Sequence, residues 1–261
     1  MKSILRYILI AIALLAVVLI IGFAAGYRFG PGLSIVKVGT IEVTNLPSGT
    51  TVILNEDRKT TTNEAVDSFR IGGVLPESHT LLVSREGYWP WAKDVVVPEN
   101  ETITFAPFFV PRSSTGVIIT DTDPAYATIR GQITSHELPR SDSPLYSNDE
   151  TIAVWVNDKA VHARWEGEGT PPYFFCTGGI CPTETVVFTA FEDVRDLSFL
   201  PGRRDVLAIA TGHGVIALEM DRRGTPQNFQ PIYEGQSPIF APGATSTLYV
   251  LDEPYLYEIS I

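Results

Sequence analysis

The chain has 261 residues, 44% of them hydrophobic, and its 19 Lys and Arg against 30 Asp and Glu give a formal net charge of −11. That sign repels phosphate backbones, so nucleic acid is set aside as a partner. Two cysteines and four scattered histidines (His79, His136, His162, His213) lack the spacing of a metal site, and no Gly-x-Ser-x-Gly, His-Glu-x-x-His, Walker or dinucleotide motif is present, so no catalytic residue, metal or cofactor is expected.

The amino end is the clearest element. No charge falls between Tyr7 and Tyr27, and Ile8 to Ala25 is apolar throughout; as a helix that run covers about 27 Å, the thickness of a bilayer's hydrocarbon core. It exceeds the usual h-region of about 7 to 15 residues, which favours an uncleaved anchor over a signal peptide cut near Gly22-Phe23-Ala24. Lys2 and Arg6 precede the run, so the expected topology is a cytoplasmic tail at 1–6, a transmembrane helix at 7–27 and an extracytoplasmic remainder. Setting Lys2 and Arg6 aside from the 19 leaves 17 basic against 30 acidic residues outside, a net charge of −13.

A linker at 28–38 leads to a segment, 39–110, of short alternating stretches: GTIEVTNL, TTVILN, SHTLLVSREGY, AKDVVVPE and ETITFAPFFV. These predict five or six strands and no amphipathic helix. Pro47-Ser48-Gly49-Thr50 makes a turn between two of them, Pro fixing φ and Gly permitting φ > 0. With Leu81, Val83, Gly87, Tyr88, Val95 and Val97 downstream, the segment resembles the PEGA family, small β-sandwich modules named for a Pro-Glu-Gly-Ala turn. Pro76-Glu77-Ser78 departs from the family's usual Pro-Gly. The resemblance implies a non-catalytic extracytoplasmic module that makes wall, adhesion or scaffold contacts. Within it, Tyr88, Trp89 and Trp91 flank a proline. Strand alternation would set the two Trp rings on one face and Tyr88 on the other, with Tyr88 the most buried. The rings are then either core filler or, at Trp89 and Trp91, a stacking platform for a sugar-like ligand.

Residues 112–261 carry a recurrence. Three stretches starting at Ser143, Asp196 and Ser237 each give an aromatic anchor (Tyr146, Phe199, Phe240), a polar or Pro-Gly turn, an apolar strand, a tight turn and a second apolar strand. A weaker fourth copy is expected at 117–129, with Val117 to Ile119 and Ala125 to Ile129 as strands. The repeats resemble extracytoplasmic β-propeller blades, three or four of them, a number low for a closed ring. An ordinary sandwich with similar hairpins is the plainer alternative. Cys176 and Cys181 bracket Thr-Gly-Gly-Ile, which lets a hairpin bring the sulfurs together as a local disulfide.

The expected protein is thus all-β behind a transmembrane helix: a PEGA-like sandwich, then propeller-like antiparallel repeats. Its expected function is a membrane-anchored, non-catalytic binding or scaffold protein of the cell envelope that contacts wall polymer or a protein partner. The alternative is a propeller-type enzyme acting on glycans through two loop carboxylates drawn from Asp121 and Asp123, Asp149 and Glu150, or Glu192, Asp193 and Asp196.

Overall fold

The computed structural model describes residues 2–30, 32, 34–113, 116–244 and 246–261. Met1 of the expected tail, Pro31 and Leu33 of the expected linker, and Ser114, Thr115 and Thr245 of the expected repeats lie outside them. The chain divides into two compact units: Met1–Leu81 with Asp94–Pro107, and Leu82–Lys93 with Phe108–Ile261. Gly87, Tyr88, Trp89 and Trp91, all ahead of the boundary expected at Val110, group with the C-terminal repeats.

The first unit opens with helix α1 (Lys2–Ala24), 23 residues that rise about 35 Å. Its Ile4–Ala24 stretch has a mean hydropathy of 3.0 and no buried side chains, long and apolar enough to cross a membrane. The helix starts inside the expected tail and stops short of Tyr27. Gly26, at φ +85° in the left-handed region open to glycine, ends it, with the Gly26 N–H bonded to the Phe23 carbonyl. The expected linker then forms a two-stranded antiparallel ribbon, β1 (Tyr27–Phe29) against β2 (Ile35–Lys37).

Seven strands follow: β3 (Gly39–Leu46), β4 (Thr50–Leu54), β5 (Asp57–Thr61), β6 (Val66–Val74), β7 (Ser78–Arg85), β8 (Trp91–Val96) and β9 (Thr102–Phe105). They form two sheets, β6-β3-β9 with β3 and β9 parallel, and β5-β4-β7-β8. In β3, β4, β7 and β8 alternate residues are buried, as the period-2 pattern requires of strands with one face on a core. The polar β5 and the mostly exposed β6 escaped the sequence reading because neither alternates: β6 buries only Ile71 and Val74 among nine residues. The Pro47–Thr50 turn is closed by two buried threonines. Thr50 Oγ1 and Thr62 Oγ1 both donate to the Pro47 carbonyl, each at 2.7 Å, and Gly49 sits at φ +76°.

The second unit holds three four-stranded antiparallel sheets among its described residues. The first is β11 (Leu145–Tyr146), β12 (Ile152–Asn157), β13 (Ala160–Trp165) and β14 (Glu184–Thr189); the second is β15 (Asp196–Phe199), β16 (Val206–Thr211), β17 (Gly214–Glu219) and β18 (Phe229–Glu234). The third combines β19 (Ile239–Pro242), β20 (Thr247–Asp252) and β21 (Tyr255–Ser260) with an earlier strand, β10 (Val117–Ile119), which pairs antiparallel with β21. In all three the central hairpin has the same two-residue loop, closing on Asn157↔Ala160, Thr211↔Gly214 and Asp252↔Tyr255. The first two sheets also share a bulge one residue past that hairpin, at Val161/His162 and Val215/Ile216. The recurrence expected from the three aromatic anchors is thus a repeated strand plan, with a fourth strand beyond each predicted hairpin.

The weak fourth copy dissolves. Val117 to Ile119 completes the third sheet, and the stretch expected as its return strand is instead helix α2 (Tyr126–Ser135). Asp123 Oδ1 accepts the Ala125 N–H at 2.8 Å and turns the chain, and Ile129 and Ile133, one helical turn apart, pack on Ile119, Leu251 and Leu256. The larger core of this unit joins the first two sheets through Ile152, Val154, Leu197, Leu207, Ile209 and Leu218. Cys176 and Cys181 are disulfide-bonded, their Cα atoms 4.0 Å apart across the turn.

Candidate functional site

Two places in the second unit concentrate polar side chains, and their chemistry separates them. The first is closed to solvent. Lys93 is fully buried, and its Nζ lies 2.8 Å from Glu219 Oε1 and donates to the Asp221 carbonyl at 2.7 Å. Trp91 Nε1 donates to Glu219 Oε2 at 2.9 Å, and the backbone and side-chain N–H groups of Asn228 donate to Oε1. Asp221 in turn takes Arg223 at 2.8 Å, and the Arg223 guanidinium lies 4.5 Å from the centre of the Tyr173 ring. Burial pushes the Tyr173 phenol up, and burial also pushes the Glu219 carboxyl up against the pull of Lys93. A charged pair out of water survives only when its remaining hydrogen bonds are made, and here they are. With Lys93 wholly buried, the cluster does structural work.

Trp91 therefore answers the question that its sequence neighbourhood raises. It is 1% exposed, so its ring offers no face to a ligand. Trp89 and Tyr88 are half-buried, Trp89 beneath Arg112 and Tyr88 beneath Arg85. The alternation that would have made Tyr88 the most buried ring fails for a local reason: the chain turns at Glu86-Gly87, Tyr88 makes only an isolated bridge to Pro111, and the strand starts only at Trp91.

The second place is open. A cleft of about 520 Å³ forms where the edge strands β11, β15 and β19 of the three sheets end. Tyr146 and Asn148 line it from the first, Ser198, Phe199 and the Pro201-Gly202 turn with Arg203 from the second, and Pro242-Gly243 from the third. Each sheet thus contributes its recurring turn, and two of the three aromatic anchors stand at the rim or wall. Tyr146 is 43% exposed, Phe199 is half-buried, and Phe240 is wholly in the core. Pro201-Gly202 shapes the wall through Gly202 at φ +74°. Arg203, which also lines the cleft, is held in a fork by Asp205 at 2.7 and 2.8 Å, which fixes the position of its guanidinium.

No family model matches the chain, and no curated protein matches it. One solved structure it is similar to is a protein of unknown function from Bacteroides fragilis, described as membrane-associated: 11% identical, with 85% of this chain and 93% of that chain covered at a TM-score of 0.22. A likeness of that size transfers neither fold nor activity.

The loop carboxylates are not gathered at the cleft. Asp149, next to Asn148, is held well below the usual carboxylate range, first by the Ser147 hydroxyl and then by Thr151 and Arg204. Glu192 pairs with the exposed His213 at 2.8 Å, and Asp123 caps a turn. Among the described residues no group of three His, Cys, Asp or Glu is placed to hold a metal. Asp196 is buried and stitches three elements: Oδ1 accepts His136 Nδ1 at 2.7 Å just past α2, and Oδ2 accepts the Phe240 N–H of β19 at 2.9 Å. Nothing in the sequence marked this pair, since 60 residues separate the partners.

The Asp196 carboxylate, more than burial opposes, raises the His136 imidazole above 6.5. A folded pKa lying above the unfolded one contributes stability that is complete below 6.5 and lost as the pH rises through the folded value. Urea midpoints should accordingly fall from pH 6.5 upward in the wild type, and His136→Asn should flatten that part of the profile. Parallel profiles for the two proteins would show that the pair carries no charge-linked stability.

Proposed function

We propose that the protein is a single-pass, membrane-anchored binding or scaffold protein of the cell envelope, with its cleft of three turns as the contact site. The cleft carries the reading: an exposed aromatic ring, neutral hydrogen-bonding groups at Asn148 and Ser198, and an arginine converge in one concavity. Such a lining suits the face and hydroxyls of a wall polymer, or a loop of a protein partner. The apolar span, with Lys2 and Arg6 ahead of it, supports an amino end in the cytoplasm and the remainder outside. The Cys176–Cys181 bond fits an oxidising compartment.

The repeated strand plan, the shared bulge and the β10–β21 pairing support a propeller-like arrangement for the second unit, because a strand from ahead of the first sheet that completes the last is how circular repeats avoid a free edge. The one-faced strands and the Thr-closed Pro47–Thr50 turn support a PEGA-like module in the first. The glycan-acting enzyme is the weaker reading. It needs two carboxylates about 5 to 10 Å apart across a substrate, whereas the cleft lining holds none and Asp149 is committed to Ser147, Thr151 and Arg204.

Full-length protein in detergent, incubated with isolated envelope polysaccharide and with detergent-solubilised envelope proteins, tests the reading. Capture by the wild type should fall at least about tenfold in Tyr146→Ala, while the unfolding free energy stays within about 0.5 kcal/mol. Equal capture by both proteins would remove the cleft from the reading, and turnover of the polysaccharide would restore the enzyme.

A further inference from the structure

The β1–β2 ribbon folds back on the helix it follows. Between them lies an apolar groove of about 500 Å³, lined by Val18, Leu19, Gly22 and Phe23 on the helix and by Phe29 and Ile35 on the ribbon. Phe29 is 62% and Ile35 70% exposed, a density of bare apolar surface that an aqueous hairpin does not sustain. The groove occupies the last two turns of the apolar span, so it opens where acyl chains meet headgroups. Its upper end is cationic. Arg28 donates to the carbonyls of Phe23 and Tyr27 at 2.7 and 2.8 Å, its guanidinium lies 3.4 Å from the centre of the Phe23 ring, and Lys37 stands over Tyr27. The carbonyl bonds run through one nitrogen of the fork, Nη1.

We infer that this groove holds one acyl chain of a membrane phospholipid, with Arg28 set to meet its phosphate. The inference rests on the reading of α1 as a retained anchor. The occupant follows from continuity with the span: the groove is walled on one side by the helix surface that faces lipid, and a tail entering it buries Phe29 and Ile35 without leaving the bilayer. Gly22 gives a direct handle. A Cβ added there meets nothing within 4 Å, so a side chain can start into the groove from this position.

Native mass spectrometry of the full chain, released from nanodiscs of phosphatidylethanolamine and phosphatidylglycerol, reads both claims at once. The wild type should appear as the full-length chain with one retained phospholipid, and Gly22→Leu, which fills the groove, should lose that adduct. The pair Phe29→Ser and Ile35→Ser, which removes the far wall, should lose it too. Equal lipid retention in all three proteins, or none in the wild type, would overturn the inference and leave the anchor standing. A wild-type mass lacking the residues up to Ala24 would overturn the retained anchor and the groove together.

Discussion

Lys93→Met should destabilise the second unit by about 3 to 5 kcal/mol, the largest loss expected of any charge substitution in the chain. The magnitude comes from what is left behind rather than from what is removed. Glu219 would keep its Trp91 and Asn228 donors but face no cation, and the Asp221 carbonyl would lose its 2.7 Å donor. Glu219→Gln alone should cost less, about 1 to 3 kcal/mol, since Lys93 keeps the Asp221 carbonyl and a carboxylate oxygen at 3.9 Å. Adding Glu219→Gln to Lys93→Met should therefore recover part of the loss, a coupling that independent sites do not show. Urea melts of the four proteins in detergent, followed by tryptophan fluorescence, measure it. A neutral Lys93→Met, or strictly additive single losses, would mean that the pair is not the buried, satisfied bridge that its geometry describes.

Trp91→Ala should cost a similar 3 to 5 kcal/mol, here through an unfilled cavity as well as a lost donor to Glu219. Trp89→Ala, two residues away, should cost about 1 kcal/mol, because that ring is only half-buried and rests under Arg112. The contrast separates a core residue from a rim residue within one aromatic stretch. The full chain is the right object for it: Trp91 and Lys93 group with the C-terminal repeats, so a fragment ending at Val110 would lack Glu219, the partner they share, and Asn228, which accepts the Ala92 N–H. Equal small shifts for both Trp variants would refute the burial of Trp91 and return the pair to the role of a ligand platform. Because Trp91 and Lys93 share Glu219, their losses should not add.

Local features were legible in the chain. Apolar length set the helix, since no other stretch runs uncharged from Tyr7 to Tyr27. Period-2 alternation set β3, β4, β7 and β8, and failed for β5 and β6, whose polar or glycine-broken runs are strands only by pairing with neighbours. The hairpins of the three repeats were legible because a two-residue loop between apolar strands is a short-range signal, as was the disulfide across four residues. Contacts across the chain were not legible. Whether Val117 to Ile119 belonged to its own repeat or to the last one is settled by β21, almost 140 residues away, whose open edge it pairs. Lys93 looks in sequence like a solvated lysine on a strand, and only the carboxylates of Glu219 and Asp221 make its burial possible. The cleft has the same origin: each turn is readable alone, but a concavity exists only where three sheets bring their turns together, and that depends on packing between residues that carry no mark of one another in the chain.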